Sequence, residues 1–348
     1  MTADAVGGVW TYALDLARGL RAHGWETTLA VNGPQPAEAP ADLEVIATGL
    51  ELDWLAQSPE AVVEAGDALA RLAAAHGADL VQLNSPAYGA AARFEAPVVG
   101  VQHSCTATWW RAVRGDEPCP ADFGWRFDLA RRGLLACDAA VAPTRAFAAA
   151  VQAEYALAEP PLAVWNGRAP SAPAPAEEGG YVLAAGRLWD DSKGVAVLDA
   201  AAARLSTPVL AAGPLAAPGG EPVRFEHLRA TGVLAGAELR ARLGGAAVFC
   251  SPALYEPFGL AVLEAAQAGR PLVLSDIPTF RELWEGAAVF VPPRDPAALA
   301  DVLAALLADA PRRAELGAAA RERARRYTVE AMVQGMVDVF AKTQLRRS

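Results

Sequence analysis

Short, continuously apolar runs recur along this chain, and helical patterns lie between them. In the first half the runs cover residues 27–31, 43–46, 79–83, 97–101 and 138–142. In the second half they cover 181–185, 208–212, 247–251, 271–275 and 287–291. Runs of this length without alternation suit parallel strands covered by helices on both faces. The stretches 9–21, 59–76 and 124–137 have helical character and supply such cover. Repeated strand-then-helix order builds doubly wound parallel sheets, so the fold class is α/β.

The pattern breaks once. Asn166-Gly167 is a turn signal, and Pro170, Pro173 and Pro175 follow in a stretch of Ala, Pro and Glu without periodicity. The break divides the chain into a first domain over 1–165, a linker over 166–179 and a second domain over 180–327, with a terminal helical segment over 328–348. Asp295-Pro296 reads as a cap with proline at the first helical position. Helices are expected from there to about residue 309, over 312–326 and over 329–342. The start is unusual. Only Met1-Thr2-Ala3-Asp4 precede the Gly7-Gly8 turn, and they lack Val and Ile. The first strand is therefore expected to be a stub, or truncated.

Composition excludes several classes. The 348 residues are 53% hydrophobic, enough apolar material for two cores. The formal net charge of -10 gives no counterion-release energy on a phosphate polymer, which argues against nucleic acid as a partner. An anionic ligand has to be held by a few local cations and backbone amides. Cys105, Cys119, Cys137 and Cys250 form no CxxC pair, against both a zinc site and a disulfide framework. The longest uncharged stretch, 205–220, contains Pro208, Pro214 and Pro218 and does not suit a membrane helix. No signal-peptide pattern precedes Gly7. The expected location is cytoplasmic, with peripheral membrane contact left open.

Four constellations could carry chemistry. The first is Gly186-Arg187-Leu188-Trp189-Asp190-Asp191-Ser192-Lys193-Gly194, between an apolar run and a helix that begins near Val195. A helix N-terminus with two cations suits a phosphate, although Arg187 could equally pair with Asp190 or Asp191. The second is Glu256-Pro257-Phe258-Gly259-Leu260-Ala261-Val262-Leu263-Glu264, which opens a helix. Carboxylates accept well from paired sugar hydroxyls; alternatively Glu256 caps its own helix and Glu264 sits on a solvated face. The third is Gly7-Gly8 at the head of the first helix, where a backbone can approach a diphosphate. The fourth is His103, which follows the 97–101 run, where ligands of open α/β sheets bind. Trp109 and Trp110 follow it and either line an acceptor site or pack under the loop. No metal-ligand cluster stands out; adjacent Asp190-Asp191 is the nearest approach to one, and His23, His76 and His227 have no partners at ligand spacing.

Together these motifs resemble family 4 of the retaining glycosyltransferases. The likeness is strongest from Gly186 to Ala300, where the Gly-Arg-Leu…Lys-Gly loop, the Glu-x7-Glu segment and Ser275-Asp276-Ile277-Pro278…Arg281-Glu282-Leu283 occur in the family's order. The resemblance implies the GT-B fold, two Rossmann-like domains facing a cleft, with the last helix crossing back to the first domain. It implies a nucleotide-diphosphate sugar as donor substrate and no cofactor or metal. Arg187 and Lys193 would bind the diphosphate and Glu264 the ribose. Glu256 with the Phe258, Gly259 and Leu260 backbone would hold the transferred sugar. Gly7 and Gly8 would approach the diphosphate, and His103 the sugar near its reacting carbon. The chemistry expected is metal-independent transfer to an acceptor hydroxyl with retained configuration. The acceptor, whether saccharide, lipid-linked or a small molecule, is not specified by the motifs. A sugar-nucleotide epimerase, a phosphorylase or a non-catalytic nucleotide-sugar binder shares the same donor features.

Overall fold

The computed structural model describes residues 1–36, 38–120, 123–170 and 179–347. Most of the expected linker, including Pro173 and Pro175, lies outside the described residues. The chain separates into two units: Met1–Gly167 with Val329–Ser348, and Arg168–Thr328.

In the first unit the chain runs β1 (Thr2–Asp4), α1 (Gly8–Leu20), β2 (Thr28–Asn32), β3 (Glu44–Ala47), α2 (Pro59–Ala75), β4 (Val81–Leu83) and β5 (Val98–Val101). It continues through α3 (Thr106–Arg114), α4 (Gly124–Ala136), β6 (Ala139–Ala142), α5 (Arg145–Tyr155) and β7 (Leu162–Ala163). Every ladder is parallel. The first strand is the expected stub, three residues long, yet it is fully paired: β1 meets β2 through Thr2↔Ala30, Ala3↔Val31 and Asp4↔Asn32. Burial of Thr2 and Ala3 and the Met1 ammonium donating to the Thr28 carbonyl at 2.9 Å hold a strand that lacks Val and Ile. The expected continuous sheet is instead two, β1-β2-β3 and β4-β5-β6-β7. Where β1 meets β4, Asn84 replaces the ladder. Its N–H donates to Thr2 Oγ1 at 2.8 Å and its Nδ2 to the Thr2 carbonyl at 2.6 Å.

The second unit runs β8 (Val182–Ala185), α6 (Val195–Ala202), β9 (Val209–Ala212), β10 (Arg229–Gly232), α7 (Gly236–Gly245), β11 (Val248–Ser251) and α8 (Leu260–Gln267). Then come β12 (Leu272–Ser275), α9 (Pro278–Trp284), β13 (Val289–Val291), α10 (Pro296–Ala308) and α11 (Ala310–Ala324). Its single parallel sheet has the order β10-β9-β8-β11-β12-β13, the 3-2-1-4-5-6 order of a doubly wound fold. Val182, Leu198, Val248, Val273 and Leu303 lie at its core, all fully buried. The direction of the chain's winding reverses between β8 and β11, which is where such sheets open a crevice at their carboxyl ends.

The last helix, α12 (Val329–Arg347), belongs with the first unit. Met332, Val333, Met336 and Phe340 pack against Tyr12, Leu16 and Leu20 of α1 and against Val99 and Val101 of β5. Phe340 also meets Trp25 edge-on, with ring centres 5.3 Å apart. Among the described residues no helix is long and apolar enough to cross a membrane. Phe340→Ala should destabilise the first unit by about 3–5 kcal/mol, the usual cost of emptying a buried aromatic site. In urea titrations followed by hydrogen exchange, protection of α1 and α12 should fall at lower denaturant while that of β8 and β11 stays put.

Candidate functional site

The site in the second unit grows from the carboxyl ends of β8 and β11, neighbours in the sheet. After β8 the chain makes a short helical turn over Asp191–Lys193 before α6. Asp190 organises this turn. It is 5% exposed, its Oδ1 accepts the Ser192 N–H at 3.0 Å, and its Oδ2 accepts Arg187 Nη2 at 2.8 Å. The alternative in which Arg187 pairs within its own loop is therefore the observed one, with a buried carboxylate rather than a surface one. Arg187 Nε is buried without a hydrogen-bond partner among the described residues.

The loop after β11 is fastened to this turn. The Ser192 carbonyl accepts from Leu254 N–H at 2.7 Å and Tyr255 N–H at 3.3 Å. Gly194 starts α6 with φ +63°, and a Cβ there would stand 2.0 Å from the Pro252 carbonyl oxygen. Both the left-handed backbone and the close approach require glycine. Lys193 Nζ then lies 2.8 Å from Glu256 Oε2, both side chains less than a fifth exposed. So Glu256 does not cap α8. The cap is Gly259 at φ +91°, without a side-chain bond, which leaves the first-turn amides of α8 without a side-chain cap. Phe258 anchors the loop from below, buried edge-on against Tyr327 at 5.7 Å.

Glu264, the fifth residue of α8, is not on a solvated face either. Its Oε1 accepts from Arg168 Nε at 3.0 Å and Nη2 at 2.9 Å. Arg168 is itself fixed, its carbonyl accepting Gln267 Nε2 at 3.1 Å and its N–H donating to the Tyr327 carbonyl at 3.2 Å. Asp276 and Arg281 form an exposed pair that also engages Glu285; this buttresses the turn after β12.

In the first unit the polar residues gather at the ends of β1, β4 and β5. His103 follows β5 with Nε2 3.1 Å from Asn84 Oδ1 and its ring edge-on to Tyr12 at 4.5 Å. Burial pushes its pKa down to about 3. Gly7 caps α1 in extended backbone and Gly8 is the first helical residue; neither has positive φ. Their own conformations do not demand glycine. Trp109 and Trp110 lie 6.2 Å apart, and Trp110 packs on Phe123 at 5.9 Å. His23, His76 and His227 are exposed. Among the described residues no group of three His, Cys, Asp or Glu could hold a metal ion.

A profile described as "Glycosyltransferase Family 4" matches residues 6–167, and one described as "Glycosyl transferases group 1" matches residues 179–309. The chain belongs to glycosyltransferase family 4. It is 37% identical over 118 residues to a phosphatidyl-myo-inositol mannosyltransferase of Mycobacterium leprae, a match covering 33% of this chain and 32% of that protein. Among solved structures it resembles a sucrose-phosphate synthase from Thermosynechococcus elongatus, with TM-score 0.81, 21% identity and 98% of each chain covered. It also resembles HepE from Anabaena in complex with UDP-glucose, with TM-score 0.72, 18% identity, 98% of this chain and 99% of that one. These neighbours establish the GT-B fold.

Three residues of this family 4 chain carry no spacing that marks them: Arg168 lies in the aperiodic stretch after Asn166-Gly167, Ser192 acts through its backbone, and Asn84 sits beside a Ser-Pro turn. Two outcomes test the geometry. Gly194→Ala should cost at least about 2 kcal/mol, through backbone strain and collision with Pro252, and should speed amide exchange at Leu254 and Tyr255. Separately, native His103 resists the proton that an unfolded histidine binds below its ordinary 6.5. Its contribution to stability is therefore present above pH 6.5 and lost as pH falls from there toward 3. His103→Asn should flatten that part of the stability–pH profile in thermal melts.

Proposed function

We propose that the chain transfers a sugar from a nucleotide-diphosphate sugar to an acceptor hydroxyl, with retention and without a metal ion. The observation that carries the reading is the convergence of Arg187, Lys193 and Glu256 at the β8/β11 switch point of a family 4 chain. UDP-glucose in the HepE neighbour supports a nucleotide-sugar donor.

On this reading Arg187 and Lys193 take the diphosphate, together with the uncapped amides of α6 and α8. Glu264 takes the ribose hydroxyls, Glu256 the transferred sugar along with the Phe258, Gly259 and Leu260 backbone. In the first unit, Gly7 and Gly8 are assigned to the diphosphate and His103 to the sugar. The bond between the anomeric carbon and the diphosphate breaks, and negative charge collects on the departing oxygens. Fixed cations and amides stabilise that charge as preorganised electrostatics. The acceptor oxygen bonds to the anomeric carbon on the same face, and its proton passes to the leaving phosphate oxygen. This route needs no carboxylate nucleophile.

The ion pairs sharpen the expected mutational pattern. Each cation already holds a carboxylate, so the donor has to displace or share it. Arg187→Ala or Lys193→Ala should weaken binding of UDP, or of whichever nucleotide a panel of UDP, GDP and ADP sugars identifies, by about tenfold or more, since bonds to charged groups contribute about 1.5–3 kcal/mol. Glu264→Gln should weaken free-nucleotide binding as well. Glu256→Gln releases Lys193, so it should not weaken the free nucleotide but should cut turnover, where sugar alignment counts most. Calorimetry and initial rates separate these cases. Unchanged affinity in both cation variants would falsify the donor assignment. In a second test, turnover should persist in EDTA; loss restored by a divalent ion would overturn metal independence.

A further inference from the structure

Beneath His103 the first unit holds a hydrogen-bond network whose directions are fixed by the Thr2 carbonyl. Asn84 Nδ2 faces the Thr2 carbonyl at 2.6 Å, and a carbonyl only accepts. The side-chain atom there must be the NH2, which leaves Oδ1 pointing the other way. That oxygen accepts Gln82 Nε2 at 2.8 Å and faces His103 Nε2 at 3.1 Å. Turning the Gln82 amide over would set two carbonyl oxygens against each other, and Gln82 Nε2 also reaches the Tyr12 hydroxyl at 3.4 Å. An amide oxygen cannot donate, so the hydrogen between Asn84 and His103 belongs to His103 Nε2. In a neutral imidazole the other nitrogen then carries the lone pair.

We propose that Asn84 is a positioning residue that fixes His103 as the Nε2–H tautomer, leaving Nδ1 to accept a hydrogen bond from a hydroxyl of the transferred sugar. The sugar contact rests on the transferase reading; the tautomer does not. Burial keeps the ring neutral, with a pKa near 3. The titratable group packed on the ring is Tyr12 of α1, which burial holds in its protonated form. His103 is thereby a hydrogen-bond acceptor and not a general acid. A donor sugar deoxygenated at the contacted hydroxyl should lose turnover.

The chain has four histidines, so a 15N-histidine long-range correlation spectrum of the full protein is simple to assign. In the wild type His103 should be protonated on Nε2 alone and should keep that signature from pH 7 to pH 5. Asn84→Ala should mix the tautomers and lower turnover about tenfold, as expected for one lost hydrogen bond, with little change in the donor KM. Asn84→Asp keeps the acceptor facing His103 but loses the donor to the Thr2 carbonyl, so where it folds it should retain the Nε2–H signature, shift the titration upward and recover turnover relative to Ala. A wild-type spectrum with the proton on Nδ1 overturns the proposal without any variant. So does Asn84→Ala with unchanged imidazole shifts, because Asn84 would then only join β1 to β4. Should Asn84→Ala not fold, the wild-type spectrum decides alone, since mixed tautomers there overturn the proposal equally. The spectra need no donor. A locked Nε2–H tautomer supports the positioning role even where no sugar nucleotide turns over, an outcome that would sink the transferase reading alone.

Discussion

The carbonyl of Ser192 is the point on which the second unit's site depends. It belongs to the turn after β8, yet it accepts the amides of Leu254 and Tyr255 from the loop after β11. Ser192 is fully buried, so this is a dry contact in which an unpaired amide would be costly. The clasp and the Gly194–Pro252 approach put the two loops in one register, and Lys193 meets Glu256 because of it. The sheet order supplies only the neighbourhood. Backbone contacts between loops supply the precision, which is why so much of the geometry is set by residues whose side chains do no chemistry.

The electrostatic design follows from the same crowding. Arg187, Lys193 and Arg168 are each partly buried and each faces a carboxylate: Asp190, Glu256 and Glu264. An unpaired charge in such a place is costly, and a paired one is close to neutral in net stability. The pairs therefore hold the cations in place without a ligand at little net cost. Asp190 differs from the others because it also accepts the Ser192 amide and is almost wholly buried. It is tied into the turn, whereas Glu256 and Glu264 keep some exposure and can exchange partners. That asymmetry separates a carboxylate locked within its turn from two that keep contact with solvent.

Much of the fold was legible because its strands are short apolar runs bounded by turn residues. The runs beginning at Pro97, Pro208 and Pro271 form strands that start one residue later, at Val98, Val209 and Leu272. The reason is physical: proline has no N–H for the ladder, yet its carbonyl still accepts from Val81, Val182 and Phe249 on the adjoining strands. Other strands carry no such signal. β10 contains Arg229 and Gly232, and β7 is two residues long with Leu162 half exposed. At the site, Arg187, Lys193, Glu256 and Glu264 stand out by spacing, but their pairing is decided in three dimensions. The sequence offered Asp190 only as an alternative partner for Arg187 and offered nothing for Glu264, since Arg168 is far away along the chain.

The two units meet one topological problem with opposite chemistry. At the winding reversal of the second unit the ladder is continuous, Val182 opposite Val248 and Leu183 opposite Phe249, and polar groups are kept to the loops beyond it. At the corresponding place in the first unit the ladder between β1 and β4 is missing, and Thr2, Gln82 and Asn84 lie buried between the strands. Buried side-chain bonds are a poor substitute for a ladder as far as stability goes. The Gln82 and Gln102 carbonyl oxygens have no partner among the described residues, and a buried polar group left unsatisfied costs about 1–3 kcal/mol. A sheet needs no such arrangement merely to hold together, since the second unit does without it. Local rules are broken in this way chiefly where a site requires it, and the group that the arrangement orients is His103.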